Sequence, residues 1–372
     1  MIFHSGSVQI GLIRFEHHAI RLFVNLRFAF PMKYPRQLLS LVLLLGVGSL
    51  HAESAPPATA KPDRIVLLVD EIKQIRSFPV VLAERLGYFS ENGVVVTVMN
   101  IRDDASTADM LLDGRVDAVM AYYHHTVVNQ SEGRSFETIV ALGMTPGAKV
   151  LVAHQSKDKF KTTADLKGSR FISGGAGSSK TTLANYLVLA GGLKLGDYSR
   201  TGTDGREKNV ATLREGKADF VVAPVPDGDF YEGEGVATLW ADLTTVEGTR
   251  KYFGALFPSA SVYMTTARVA AHPEIAQHLA NAFVRTLHFI NTHTPEEIAA
   301  VIPDEIAGKD RAAYLKVLRQ EIPMFATDGL MPADAAEKEW RVLAEATPKY
   351  KSVKPELTYT NVFAEAALRK YP

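Results

Sequence analysis

The chain has 372 residues, of which 47% are hydrophobic and 22% are charged, as in a globular protein with a large core and two or three domains. Its 41 basic and 41 acidic residues leave no net charge, so composition gives no electrostatic reason to bind nucleic acid or anionic lipid. The absence of cysteine excludes disulfides, thiolate nucleophiles and cysteine-based zinc sites.

Residues 1–52 predict export, because they contain the parts of a leader and signal peptide. Lys33 and Arg36 precede an apolar run at 38–50, and small residues follow it. The run is shorter than the roughly 20 residues that a transmembrane helix needs. We therefore expect a periplasmic protein.

The signal-peptide cleavage site and the first translated residue each have two alternatives. We place cleavage after Ala52, with Ser54 as the alternative. Translation starts at Met1 or at Met32. The Ala/Pro-rich residues 53–62 then predict a short linker.

The mature chain alternates between predicted strands and helices up to about residue 190. Continuous apolar runs predict strands covered on both faces, and apolar residues at helical spacing predict the helices between them. This alternation predicts a parallel, doubly wound α/β sheet. The predicted strands lie at 64–69, 94–98, 117–121, 138–142, 149–153 and 170–172, and the helices begin near 78, 104, 162 and 181.

An internal repeat indicates two lobes of one design. Residues 113–121 and 215–223 both read acid-Gly-base-x-Asp-x-x-x-Ala. Gly114 and Gly216 are expected to end a helix in the left-handed conformation, and the aspartate to open a buried strand. The predicted division is a first lobe at 63–145 and 260–372, and a second lobe at 146–259.

The last hundred residues predict a helical C-terminal tail. An apolar stripe from Ile275 to Ile290 marks one helix. Thr294 and Glu297 form a capping box that opens the next. Two further helices are predicted at 310–321 and 332–346.

A glycine-rich turn, Ser173–Thr181, is the strongest candidate site. Free backbone N–H groups at the start of the following helix attract anions, and Ser178 and Ser179 add hydroxyl groups. The turn is not a nucleotide-binding P-loop, since Ser179 stands where that motif requires glycine. A tight turn without a ligand remains the alternative.

Two further candidates follow predicted strands, where open α/β sheets bind ligands. One is the run from Tyr122 to His125, matched in the second repeat by Pro224–Asp227, and the other is the turn Gln74–Phe78. No third ligand accompanies the histidine pair, so no metal is predicted. No catalytic motif is found, so we predict that the chain is not an enzyme.

Five landmarks resemble, in their order, the periplasmic binding proteins of nitrate, taurine and sulfonate ABC transporters, a group that includes the THI5-like proteins. The resemblance covers about 63–290 and implies two α/β lobes of the periplasmic binding protein type II kind, with the ligand in a cleft. The resemblance also implies a set of ligand-facing residues. We add His124 to this set because it lies in the run from Tyr122 to His125. The landmarks are 78–96, 113–118, 164–170, the glycine-serine turn and 215–220, and the implied residues are Ser77, Phe78, Ser106, Tyr122, Tyr123, Gly177, Ser178, Ser179 and Pro224.

The expected function is that of an extracytoplasmic solute-binding protein, a monomer without cofactor, which delivers a small organic anion to an ABC permease and its ATPase. The anionic group is expected on Gly177–Ser179, with Lys180 adding charge, and a sulfonate-like or aromatic body against Tyr122, Tyr123 or Phe78. The alternatives are a thiamine-pyrimidine precursor binder or a related exported enzyme, and a ligand-sensing module. The lobes are expected to close about hinges at 142–147 and 256–261.

Overall fold

The computed structural model describes residues 62–101, 106–175, 178–202 and 204–372, all within one compact unit. The predicted leader and signal peptide at 1–52, and the predicted linker up to residue 61, lie outside the described residues. Ten strands are present in the described part of the chain. They are β1 (Asp63–Val69), β2 (Val94–Asn100), β3 (Ala118–Tyr122), β4 (Phe136–Ala141), β5 (Ala148–Ala153), β6 (Arg170–Ile172), β7 (Ser199–Thr201), β8 (Phe220–Pro224), β9 (Ala237–Leu243) and β10 (Ala260–Thr265).

The helices of the described residues become dense after β10, which confirms the predicted helical C-terminal tail. The α-helices are α1 (Phe78–Arg85), α2 (Tyr88–Glu91), α3 (Thr107–Leu112), α4 (His124–Gln130), α5 (Ser179–Ala190), α6 (Arg206–Arg214), α7 (Val225–Gly233), α8 (Val246–Phe253), α9 (Thr266–Ala271), α10 (Pro273–Thr292), α11 (Pro295–Val301), α12 (Asp304–Ala307), α13 (Arg311–Glu321), α14 (Ala333–Ala346) and α15 (Val362–Lys370). Short 3-10 helices lie at Ile75–Ser77, Thr163–Leu166, Leu195–Asp197, Ile322–Met324, Pro348–Ser352 and Pro355–Leu357.

Two separate five-stranded sheets have the same plan. The first has the order β2-β1-β3-β10-β4 and the second has the order β7-β6-β8-β5-β9. In each sheet, four of the five strands run in the same direction. The remaining strand, β10 in the first sheet and β5 in the second, stands fourth in the order and runs antiparallel to both of its neighbours. The sequence pattern predicted only parallel strands. The antiparallel strands, β10 and β5, are those that follow directly on a passage from one sheet to the other.

The repeated joints occupy matching places in the two sheets. Gly114 and Gly216 both adopt the left-handed conformation, with φ of 70° and 67°, immediately before β3 and β8. Since β3 and β8 stand at the third position of their sheets, the repeat detected in the sequence corresponds to structurally equivalent joints.

The aspartate of each joint has a structural task. Asp117 accepts a hydrogen bond of 2.8 Å from the backbone N–H of Val66 in β1, and Asp219 accepts one of 3.0 Å from that of Arg170 in β6. Each aspartate thus ties its own strand to the neighbouring strand of the sheet. The recurrence of aspartate in the two joints therefore has a structural reason and does not need a catalytic one.

Two segments pass between the sheets side by side, as predicted at 142–147 and 256–261. The N–H of Gly143 donates to the carbonyl of Ala260 at 2.9 Å, and the N–H of Ser259 donates to the carbonyl of Gly143 at 2.9 Å. A β-carbon at Gly143 would overlap the Ser259 hydroxyl and lie 3.1 Å from the Ala260 nitrogen. Glycine is therefore required for the two segments to approach this closely.

The C-terminal tail packs mainly against the first sheet. Helix α10 contributes the buried residues Ile275, Leu279, Phe283 and Leu287 to the core of that lobe, which confirms the predicted stripe. Helix α14 instead reaches α5 of the second lobe. No helix among the described residues has the length and apolar character needed to span a membrane.

Candidate ligand-binding cleft

A cavity of about 850 Å³ lies between the two lobes. Both sheets contribute through the ends of their strands, and the C-terminal tail adds a wall. Part of its lining carries the groups that can bind or orient a ligand. They are Lys73, Arg76, Tyr122, Ser179, Lys180, Arg206, Pro224, Asp227, Lys309, Asp310, Tyr314 and Glu321.

Arg76 is held in place on the first-lobe side of the cleft. It follows β1, in the short 3-10 helix before α1, and its guanidinium group pairs with Asp70. The same group lies 5.1 Å from the centre of the Tyr122 ring, and its Nη1 atom is 3.5 Å from the Tyr122 hydroxyl. A fixed cation beside an aromatic face suits an organic anion.

The second-lobe side presents the start of helix α5. Gly174 takes a φ of 91° to make the turn, and Ser178 caps the helix by accepting a hydrogen bond of 3.2 Å from the N–H of Thr181. The first N–H groups of a helix have no partner within it, so those of Ser179 and Lys180 remain for water or a ligand. Lys180 forms no ion pair with any other described residue.

Arg206 and Asp227 close another part of the second-lobe wall. The Arg206 Nε atom lies 2.7 Å from a carboxylate oxygen of Asp227, and its guanidinium carbon lies 5.5 Å from the Phe230 ring centre. Asp227 neutralises Arg206 as Asp70 neutralises Arg76, so Lys180 is a stronger candidate than either arginine for the charge that meets a ligand anion.

Helix α13 forms the wall supplied by the C-terminal tail. Tyr314 and Glu321 stand seven residues apart, on the same face of the helix, and both line the cavity. Burial raises the pKa of Glu321 to about 7, against the lowering effect of Arg76. Burial likewise raises the pKa of Tyr314 to about 12.

Asp229 links α13 to the second lobe. It accepts hydrogen bonds from Lys316 at 2.8 Å and from Gln320 at 3.3 Å on α13, and from Lys149 at 2.6 Å on β5. Burial acts to raise the pKa of Asp229, but these hydrogen bonds outweigh it and lower the pKa to about 2. The carboxylate is thus ionised at neutral pH and fastens the tail across the cleft.

The structure brings three of the residues predicted to face the ligand to the cleft, together with Lys180, which was predicted to add charge. Tyr122 ends β3, Ser179 begins α5, and Pro224 ends β8, and all three line the cavity. Gly177 lies outside the described residues. The role of these residues in binding stays a prediction.

The other predicted residues lie outside this lining. Ser77, Phe78 and Tyr123 are buried, with the Phe78 ring against Phe325 and the Tyr123 hydroxyl bonded to Thr358. Ser106 and Ser178 cap helices α3 and α5. Tyr123 turns away from Tyr122 because consecutive residues at a strand end point to opposite sides.

His124 belongs to a buried polar cluster beside the cleft. Its Nδ1 atom lies 3.8 Å from the carboxyl group of Glu339, and Glu339 is fully buried. Burial lowers the pKa of His124 well below its usual range, with a further lowering by His125, and raises that of Glu339 well above its usual range. Among the residues described, no three His, Asp or Glu side chains gather as a metal site would require.

Sequence reasoning did not select Arg206, Tyr314 or Glu321, and it included Arg76 only within a candidate turn. Tyr314 and Glu321 lie about ninety residues beyond the nearest candidate segment, Pro224–Asp227, in a tail whose pattern predicts packing helices. Their only local signal is that Glu321 and the Tyr314 hydroxyl interrupt the helix face that also carries Val317 and Leu318.

Comparison with known proteins identifies the family. The family model described as NMT1/THI5 like matches residues 74–298, well over half of the chain. The chain belongs to this family. The resemblance noted in the sequence is thereby confirmed. Among curated proteins the sequence comparison finds no match.

Solved structures confirm the predicted fold of two doubly wound lobes of the type II periplasmic binding proteins. A protein from Bordetella bronchiseptica RB50 is similar at 27% identity and a TM-score of 0.67, covering 84% of this chain and 99% of that one. The periplasmic sulfonate-binding protein SsuA from Methylobacillus flagellatus KT is similar at 15% identity and a TM-score of 0.63, covering 83% and 95%. The desulfurization enzyme DSZB is similar at 14% identity and a TM-score of 0.56, covering 83% and 100%.

Proposed function

We propose that the chain is an extracytoplasmic solute-binding protein that holds a small organic anion in the cleft and delivers it to an ABC permease with its ATPase. The observation that carries this proposal is the charge of the cavity lining. Five lining side chains are cationic (Lys73, Arg76, Lys180, Arg206, Lys309) and three are acidic (Asp227, Asp310, Glu321). Family membership and the shared fold support the same role.

The anionic group is placed at the start of α5. Lys180 brings a full charge that no described residue neutralises, and the adjacent free N–H groups supply hydrogen-bond donors. Arg76 faces it from the other lobe. An anion between Lys180 and Arg76 would be held by both lobes at once, which is what a protein that closes on its ligand requires.

The body of the ligand is placed against Tyr122 and Pro224. The cavity volume of about 850 Å³ is within the range of pockets for organic molecules and far larger than nitrate needs. We therefore infer a sulfonate or carboxylate with an alkyl or aryl group. Residues 1–52 would direct the chain to the periplasm, where it acts as a monomer.

The two passages between the sheets are proposed as the hinge. The lobes would be 63–145 with 260–372, and 146–259, and they would rotate about the paired segments at 142–147 and 256–261. These segments bond to each other, so they bend together. Asp229 would break and remake its contacts with Lys316 and Gln320 during the movement.

Calorimetry on a panel of anions tests this proposal. We expect ethanesulfonate, benzenesulfonate or benzoate to bind, and nitrate to bind more weakly or not at all. Lys180→Ala should weaken binding by about tenfold or more, because it removes a charged hydrogen-bond donor. Lys208→Ala, on the exposed surface of α6, is the matched control and should bind as the wild type does.

Two results would overturn it. Equal affinity in the wild type and Lys180→Ala would place the anion elsewhere, and failure of every anion to bind would remove the proposed ligand class. An aminopyrimidine in the same panel tests the alternative of a thiamine precursor.

A second candidate function is an exported enzyme, since the desulfurization enzyme DSZB has the same fold. We propose binding without turnover. A sulfonate incubated with the purified protein should be recovered unchanged by mass spectrometry. Release of sulfite, or any other altered product, would establish the enzyme instead.

A further inference from the structure

Helix α14 of the C-terminal tail joins the hydrophobic cores of both lobes. Its residues Ala336 and Leu343 lie in the core of the first lobe, and Val342 lies in that of the second. The helix packs against α4 of the first lobe and against α5 of the second. In addition to the two passages of the chain, α14 is therefore a non-covalent connection between the lobes.

Glu339 lies on this helix, at the joint between the lobes. It is fully buried, and neither of its carboxyl oxygens has a hydrogen-bond partner among the described residues. The Nδ1 atom of His124, at the start of α4, lies 3.8 Å from a carboxyl oxygen of Glu339 and has no hydrogen-bond partner in the same part of the chain. The hydroxyl oxygen of Tyr186, on α5, is buried in the same state. Three helices from both lobes thus bring unpartnered polar atoms to one joint.

Tyr186 connects this joint to the proposed hinge. Its ring centre lies 5.3 Å from that of Phe257, which belongs to the second passage between the sheets. Burial raises the pKa of the Tyr186 hydroxyl well above its usual range, and the nearby Glu339 and Tyr123 raise it further. A rotation of the lobes about the passages therefore moves Tyr186 relative to Glu339.

The joint favours the uncharged forms of its titratable groups. A buried carboxylate without a hydrogen bond is far less favourable than the protonated acid, and burial accordingly raises the pKa of Glu339 well above its usual range. Burial lowers the pKa of His124 well below its usual range, and His125 lowers it further. If water reached the joint, both Glu339 and His124 would ionise more readily.

We propose that Glu339 is a proton-operated lock between the lobes. When Glu339 is protonated, α14 stays packed on α5 and the cleft stays closed. When it is ionised, the favoured arrangement is one in which α5 parts from α14, which remains with the first lobe, and water reaches the carboxylate. Both lobes line one cavity here, so the locked arrangement is the closed one. The inference rests on the lobe movement of the proposed function and adds a control of that movement by pH.

The direction of the pH effect follows from the protons that each arrangement binds. Above about pH 6.5 the opened joint holds an ionised Glu339 and a neutral His124, so opening releases one proton and is favoured by a higher pH. Tyr123 and Tyr186 stay neutral up to about pH 9 in both arrangements. Below about pH 6.5 His124 and His125, whose pKa values burial lowers, would bind protons on hydration and oppose this trend. The range from about pH 6.5 to about pH 9 therefore isolates Glu339 within the joint.

Energy transfer between two dyes, one on each lobe, measures the opening. Because the chain has no cysteine, Glu84→Cys on α1 and Lys208→Cys on α6, both at exposed positions, give specific attachment sites. In the ligand-free protein the equilibrium constant for opening should rise by up to about tenfold per pH unit between about pH 6.5 and about pH 9. In Glu339→Gln this rise should be absent or much smaller.

Three variants complete the comparison. Glu339→Met, which is also uncharged, should behave as Glu339→Gln does. Glu345→Gln, an exposed change on the same helix, should behave as the wild type does. Burial raises the pKa of Glu321 to about 7, so Glu321→Gln measures its separate contribution and should keep the part of the pH dependence that Glu339 causes.

The outcomes separate the lock from the proposed function. Ethanesulfonate, benzenesulfonate and benzoate are added in excess to the labelled protein, and at least one should close the lobes. If one of them does so, but the wild type and Glu339→Gln depend on pH in the same way, the lock is refuted while the lobe movement stands. If neither these anions nor pH changes the energy transfer, the proposed lobe movement fails and the lock fails with it.

Discussion

Replacing Glu321 by glutamine should stabilise the ligand-free protein above neutral pH. Burial raises the pKa of Glu321 from 4.5 to about 7, although Arg76 acts in the opposite direction. An acid whose pKa is higher in the folded state favours folding when it is protonated. Its contribution is therefore fully present below about pH 4.5 and is lost as the pH rises through about 7.

The size of the effect follows from the difference in pKa. Ionisation of Glu321 in the folded protein costs about 3 kcal/mol of unfolding free energy once the pH is well above its pKa. Glutamine keeps the shape of the side chain and does not ionise. Glu321→Gln should then exceed the wild type in stability by up to about 3 kcal/mol near pH 8, and should match it near pH 4.

Denaturant unfolding followed by circular dichroism, repeated across this pH range after removal of ligand, measures the effect. Glu305→Gln is the control and should follow the wild type at every pH, because Glu305 is exposed. A difference between Glu321→Gln and the wild type that does not vary with pH would refute the reasoning. So would a Glu321→Gln protein that is less stable than the wild type near pH 8.

Three further predictions concern the framework around the cleft. Gly143→Ala should lower the unfolding free energy by about 1–3 kcal/mol through crowding between the two passages, measured by denaturant unfolding, whereas Gly196→Ala, which meets open space, should not. Asp229→Asn should weaken the tie between α13 and the second lobe, so small-angle scattering of the ligand-free protein should show a larger radius of gyration than in the wild type; an unchanged radius would contradict this. Glu339→Gln should be at least as stable as the wild type near pH 8, because burial keeps the pKa of Glu339 well above its usual range, and a loss of more than about 2 kcal/mol would contradict the absence of hydrogen-bond partners.

Local patterns in the sequence predicted the elements that local physics determines. The left-handed glycines before β3 and β8, the α10 stripe and the Thr294–Glu297 capping box all depend on residues close in the chain. The antiparallel insertion of β10 was not predicted. Its direction depends on a passage between lobes rather than on its own composition.

The sequence predicted a residue of the cleft only where the end of a single strand or the start of a single helix places that residue. Tyr122, Ser179 and Pro224 satisfy that condition, and each lines the cavity. Glu321 and Tyr314 do not, because a helix some two hundred residues beyond β3 must first fold back across the cleft. Polar residues on a helix face are ordinarily exposed to bulk water. Tyr314 and Glu321 differ because the packing of α13 across the cleft places them in the wall of the cavity.

The central claim is that an organic anion occupies the cleft between Lys180 and Arg76. Mass spectrometry of the small molecules released on denaturation of the purified protein tests it most directly, with Lys180→Ala and Lys208→Ala prepared in parallel. The wild type and Lys208→Ala should release the same organic anion in near-stoichiometric amount, and Lys180→Ala should release far less. Equal release from all three proteins, or release of a compound without an anionic group, would contradict the claim.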